Sequence, residues 1–292
     1  IEAQFTTRDY NRFGVDFLIK NGYEVLIWDF TSFIHSKLIN EYTPSDLLSY
    51  YNLSIISSEK TALNKINLLD KFDLVICYGF PNTFIKRNIF KHLSNKNITY
   101  GINRQNALPH TTIKSSIFFS KVLKLLFNNT DLLNYLYSKF QPFFVKIKPP
   151  NFIMASGEKT VNINNKFTKT IWTHKLDYDL YLDFIKNKND EIPAEPYLLL
   201  LDEYIPFHPD GINEKWPKID PIKYYSLITN FLSEIELKEK CPVIIAAHPR
   251  SQYESHPDYF QGRRVMKNKT IELVKNAKLV ITHASTSSNF AV

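Results

Sequence analysis

Short apolar runs that stop abruptly at polar residues constrain this chain more than any other feature. Leu198 to Leu201 is four leucines followed by Asp202 and Glu203. Val243 to Ala247 is followed by His248-Pro249-Arg250-Ser251, and Leu279 to Ile281 leads into Thr282 and His283. Runs this short and this apolar read as buried strands, and the polar residues then stand at strand ends. The first half repeats the pattern. Glu24–Asp29, Leu53–Ser57, Asp73–Gly79 and Asn97–Asn103 read as strands, and Glu59–Phe72 as a helix; Asn21-Gly22 stops an opening helix carried by Phe13, Phe17 and Leu18. Strand-like stretches NFIMASG and KTIWTHK follow, with helices over Tyr178–Lys186, Ile222–Lys238 and Thr270–Asn276. Strands alternating with helices imply an α/β fold built on parallel sheets.

The segment Ile113–Lys148 breaks this rhythm with aromatics, leucines and lysines. Two readings stay open for it: a helical pair packed on the first domain, or an amphipathic basic surface resting on a membrane. Pro149-Pro150 then interrupts the chain, so the expected division is a Rossmann-like acceptor-side domain over residues 1–150 and a Rossmann-like donor domain over residues 151–292. The last strand-to-helix unit stops at Val292, so the second domain is expected to be truncated, and the absence of a starting Met suggests that residues precede Ile1. Ile1-Glu2-Ala3-Gln4 lacks the basic start and apolar centre of a signal peptide.

With 292 residues, 44% of them hydrophobic, the chain can bury the cores of two domains. No apolar run approaches the roughly 20 residues needed to span a bilayer. Cys77 and Cys241 lie in or beside apolar runs and read as buried thiols of a reducing compartment. A formal net charge of +7 favours an anionic partner. The basic residues are dispersed and match no nucleic-acid module, which leaves a phosphorylated substrate or an anionic lipid surface. Only 7 glycines are present, with no Gly-x-Gly-x-x-Gly, no P-loop, no nucleophile elbow and no Cys/His metal spacing.

Three strand ends carry chemistry. After the leucine run, Asp202 and Glu203 form an acidic pair; either one serves as a general base while the other grips a neighbour, or both leave the sheet into solvent. After Val243–Ala247, His248 with Pro249, Arg250 and Ser251 offers donors to an anion. After the last strand come Ser285, Thr286, Ser287 and Ser288 at a helix start. One hydroxyl suffices for capping, so four point to a phosphate held at a helix N-terminus. Glu272, on the short helix before that strand, is placed to hold ribose hydroxyls. His208-Pro209-Asp210-Gly211 repeats the His-Pro pattern inside a loop and reads as turn chemistry bordering an acceptor cleft. Asp177-Tyr178-Asp179 reads as a helix start rather than a metal motif.

An acidic pair after a strand, His-Pro after the next, and a Ser/Thr pair preceded by Glu272 resemble the GT-B glycosyltransferases that use CMP-activated acidic sugars, such as bacterial sialyltransferases and Kdo transferases. The resemblance covers about residues 197–292. It implies two Rossmann-like domains facing a central cleft and an inverting, metal-independent transfer with no cofactor beyond the nucleotide-sugar donor. It assigns Asp202 or Glu203 as the base, His248 with Pro249 and Arg250 to the donor phosphate, Ser285, Thr286 and Ser287 to the phosphate cradle, and Glu272 to the ribose. Tyr204 stands where the family's acidic motif carries glycine. The stretches LDEYIPFHPDG and HPRSQYESHPDYFQGR resemble bacterial surface-polysaccharide proteins, which implies a capsule or lipopolysaccharide setting. A glycan or lipid-linked glycan acceptor follows, with a cytoplasmic location and peripheral contact with an anionic membrane. The alternatives are a CDP-polyol phosphotransferase, a UDP-sugar-using enzyme or epimerase of the same fold, and a non-catalytic polysaccharide-assembly subunit.

Overall fold

The computed structural model describes residues 1–105, 129–144, 146–158, 166–176, 178–186, 195–214, 216–283 and 290. The chain forms two compact units, Ile1–Ile39 with Asp46–Leu176, and Asn40–Ser45 with Asp177–Val292. Both are α/β, and every described strand pairing inside their sheets is parallel.

In the first unit, β1 (Ile27–Asp29) pairs with β2 (Leu53–Ile55), and β3 (Leu74–Tyr78), β4 (Thr99–Arg104), β5 (Phe152–Ala155) and β6 (Lys169–Trp172) form a second sheet in that order. The helix Glu59–Leu68 starts where Ser58 Oγ accepts from Thr61 N at 3.2 Å, and it buries Ala62 and Ile66. With Phe30, Ile56, Cys77, Phe90 and Tyr100 these residues make one core. Burial pushes the Cys77 thiol up to about 11, so it is an inert packing residue. Lys86 is buried beside Glu2, with its ammonium 4.6 Å from the centre of the Phe80 ring. The helix Asn129–Phe144 docks on this unit: Asn134 Oδ1 accepts from Phe84 N, and Tyr137 Oη donates to Asn82 Oδ1, both at 3.0 Å. That helix is half of the pair expected over Ile113–Lys148; residues 113–128 lie outside the described residues. No described helix is long and apolar enough to cross a membrane.

The boundary differs from the one expected at Pro149-Pro150. Phe152 pairs with Gly101 and Lys169 with Phe152, so β5 and β6 complete the four-stranded sheet of the first unit and the division falls after Leu176. The prolines interrupt a crossover inside one sheet, because a residue that blocks helix is as compatible with a strand-to-strand connection as with a linker.

In the second unit the order is β10 (Leu279–Thr282), β7 (Leu198–Leu201), β8 (Val243–Ala247), β9 (Val265–Lys267). Alternation sorts the leucines onto two faces. Leu198 and Leu200, with Val243 and Ile245, pack against Tyr225 and Leu232 of the helix Pro221–Glu239. Leu199 and Leu201, with Ile244 and Ala246, pack against Leu273 and Val274 of the helix Thr270–Asn276. Helices on both faces explain why these strands are apolar throughout. Asp220 starts the longer helix, its Oδ1 accepting from Ile222 N at 2.9 Å, with Pro221 in the first turn. Two features escape the sequence reading: β9, a charged edge strand of three residues, and the helix Pro209–Glu214 inside the supposed loop, which Pro209 opens and Asp210 favours in its first turn.

Gly101 is required by close approach. A Cβ built there would meet the Phe152 ring at 2.2 Å. Gly101→Ala is therefore expected to destabilise the first unit by roughly 1–3 kcal/mol through overpacking, read as a lowered denaturant midpoint with unchanged slope.

Candidate functional site

Within the second unit the chain runs from β7 to β8 to β9 on one side and then returns to β10 on the other side of β7. The connection leaving β7 therefore runs away from β10, and doubly wound sheets take ligands outside the carboxyl ends of their strands. Asp202, Glu203 and Tyr204 follow β7, and His248 to Ser251 follow β8. His283 follows β10, whose Thr282 stands level with Leu201.

Asp202 continues β7 by one residue, its N–H donating to Ala246 O at 3.0 Å. Its carboxylate is only 7% exposed. Oδ2 accepts from Tyr253 Oη at 2.6 Å and from Tyr204 N at 3.2 Å. Burial pushes this carboxyl up to about 6 against the pull of those donors. Tyr253 Oη also meets Tyr225 Oη at 2.7 Å. Burial first, then the Asp202 charge, pushes the Tyr253 phenol far above its ordinary range, so it stays a donor. The acid thus binds the end of β7 to the turn after β8. Glu203, the other member of the pair, is half-buried.

Tyr204 stands where the resemblance expects glycine. Its backbone is left-handed, φ 55° and ψ 31°, a conformation glycine adopts at little cost and tyrosine does not. Packing offsets the strain: the ring is buried, Oη lies 2.8 Å from His256 Nε2, and Tyr253 meets it edge-on at 5.1 Å.

Two His-Pro turns converge at these strand ends. His248 Nδ1 accepts from Arg250 N at 3.2 Å, and His208 Nδ1 accepts from Asp210 N at 3.1 Å. The two imidazole rings lie 4.8 Å apart at 64°, while Arg250 Nη1 reaches Asp210 Oδ1 at 3.3 Å. So the first residues of the two turns touch, and so do the third. His208 also stacks on Trp216. Ser251, 1% exposed, donates its N–H to His248 O at 2.9 Å, and its own carbonyl accepts from Lys267 Nζ at 2.6 Å. In each turn a neutral imidazole with Nδ1 accepting carries its proton on Nε2, the tautomer that donates to an anion.

Of the residues expected at the site, Asp202, Glu203, His248, Pro249 and Arg250 stand together at adjacent strand ends. Glu272 lies in the first turn of the helix Thr270–Asn276, paired with Lys269 at 4.0 Å, and among the described residues no contact links it to the His-Pro turns. Ser285, Thr286, Ser287 and Ser288 lie outside the described residues. Asp179 falls in the first turn of the helix Tyr178–Lys186, as a helix start requires. Tyr253, His256 and Lys267 are additions that sequence reasoning missed, and His208, read there as turn chemistry bordering an acceptor cleft, stands beside His248. For His208 a signal existed: two His-Pro pairs whose third residues, Asp210 and Arg250, carry opposite charge.

No protein-family model matches this chain, and no curated protein does. Among solved structures it is similar to UDP-GlcNAc 2-epimerase from Methanocaldococcus jannaschii, at 15% identity and a TM-score of 0.46, over 98% of this chain and 78% of that one. A likeness at this level carries nothing about the chemistry.

The raised Asp202 carboxyl has a signed consequence. The folded state holds this proton more tightly than the unfolded chain, whose value is near 3.8, so its contribution is full below pH 3.8 and is lost as pH rises through about 6. Relative to Asp202→Asn, the wild type is expected to lose stability of order 3 kcal/mol between pH 4 and pH 7, measured by urea unfolding. A parallel pH profile for the two proteins would sink the assignment. Tyr253→Phe, which removes one donor, is expected to raise the Asp202 titration further, observable by carboxyl-carbon NMR.

Proposed function

We propose that this protein is an inverting, metal-independent glycosyltransferase of bacterial surface-polysaccharide synthesis, and that its second unit binds a nucleotide-activated sugar. The observation that carries the reading is the His248-Pro249-Arg250 turn at the carboxyl end of β8, in the same connection as Tyr253, whose hydroxyl donates to Asp202. His248 donates Nε2–H to the donor phosphate. The cationic Arg250 and Lys267 side chains oppose the charge that develops on that phosphate as the glycosidic bond breaks. Asp202 is committed to Tyr253 and to the backbone N–H of Tyr204, which supports it as the residue that positions the turn. Glu203 then serves as the base that takes the acceptor hydroxyl proton. Ser285, Thr286 and Ser287 complete the phosphate cradle and Glu272 the ribose contact. The donor suggested by the resemblance is a CMP-linked acidic ulosonic sugar, and the acceptor a glycan or lipid-linked glycan.

Calorimetric titration with CMP, CDP, UDP and GDP tests this. At least one nucleotide is expected to bind the wild type, and His248→Ala to weaken it by roughly tenfold or more, the loss of one charge-assisted hydrogen bond. Glu203→Gln is expected to retain that binding and lose transfer. Absence of binding to any nucleotide would return the protein to the class of polysaccharide-assembly subunits.

A further inference from the structure

The reaction proposed above asks for one histidine on the phosphate, yet the fold brings two to the same place. His208 arrives from the connection after β7 and His248 from the connection after β8, each at the head of a His-Pro-x turn with the same internal hydrogen bond, Nδ1 from the backbone N–H two residues on. The turns are fastened to each other by the Arg250–Asp210 pair at 3.3 Å, which also matches the Asp210 carboxylate with a guanidinium. Trp216 stacks along the His208 ring at 5.8 Å and fixes its plane. Both rings therefore hold one orientation, with the protonated nitrogen on the edge away from the turn. Neighbouring strands of a sheet stand about 4.8 Å apart. A donor set spread over two strand ends fits an elongated anion better than a single tetrahedral one.

We propose that His208 is a second ligand-binding residue, and that the paired turns form a cradle for a donor carrying two adjacent anionic groups. His248 takes the phosphate next to the nucleoside and His208 the second anion. That second group is either another phosphate, as in a nucleoside diphosphate, or the carboxylate of an acidic sugar linked through one phosphate. The proposal rests on the nucleotide-sugar reading for the identity of the ligand, though not for the existence of the cradle. Asp210 acts through Arg250 and is a positioning residue.

The test titrates CMP, CDP and CMP-N-acetylneuraminic acid into the wild type, His208→Ala, His208→Gln and His248→Ala, with thermal unfolding as a check that each variant is folded. A two-anion probe is expected to bind the wild type roughly tenfold or more tightly than CMP. His208→Ala should erase that advantage and leave CMP within about threefold, while His208→Gln, which keeps an N–H donor, should restore part of it. His248→Ala should weaken all three probes. An advantage for CDP identifies the second group as phosphate, and one for the sialyl donor identifies it as carboxylate. Equal loss of CMP and the two-anion probes in His208→Ala overturns the proposal, as does no loss at all. If no nucleotide binds, pyrophosphate against phosphate separates the two ideas. A pyrophosphate preference that His208→Ala abolishes keeps the cradle and discards the nucleotide reading; no preference discards both.

Discussion

The second unit depends on one buried carboxylate. Asp202 leaves a strand whose four preceding residues are apolar and buried, and it enters an environment where an unpaired charge would cost several kcal/mol. The fold answers with the Tyr253 hydroxyl and the backbone N–H of Tyr204. Those donors come from the exit of β7 and the exit of β8, so satisfying the charge also sets the spacing of the two exits. A hydrophobic residue at 202 would remove the desolvation cost and also the reason for the turn to sit where it does.

The pairing of the two His-Pro turns follows the same logic at lower burial. Neither turn has much hydrophobic cover, and each is held by two internal hydrogen bonds and by contact with the other. The Arg250–Asp210 pair is partly exposed and worth little as a stabiliser on its own. Its value is geometric, since it fixes the third residue of one turn against the third residue of the other. Ring contact, ion pair and the Trp216 stack together specify one arrangement of side chains where each alone would allow several.

How far the fold was legible depended on how local the signal was. Leu198–Leu201 and Val243–Ala247 announced themselves because burial on both faces removes every polar residue from a strand. The helices Tyr178–Lys186 and Thr270–Asn276 coincide with their expected bounds. The division of the chain was not legible at Pro149-Pro150, because nothing local to β5 and β6 says which sheet will accept them. That is decided by pairing with β4 across more than 40 intervening residues. The role of Tyr204 was equally hidden: a tyrosine gives no hint of a left-handed backbone, which is enforced by Tyr253 and His256 half a unit away in sequence. His208 was visible as a motif and discounted as a loop residue, since only the tertiary structure reveals that its loop ends beside His248.

The fastening of Ser251 has a dynamic side. The carbonyl that follows the His248 turn is held by Lys267, and Lys267 is the last residue of β9, the outermost and shortest strand of its sheet. Edge strands open locally long before a sheet unfolds. A single lysine therefore connects an edge strand of the unit to the end of the His248 turn, so opening of the sheet's margin reaches that turn while the leucine core stays closed. Rigidity of the His248 turn is thereby tied to the periphery of this domain, to a strand of three residues whose Met266 packs on the core.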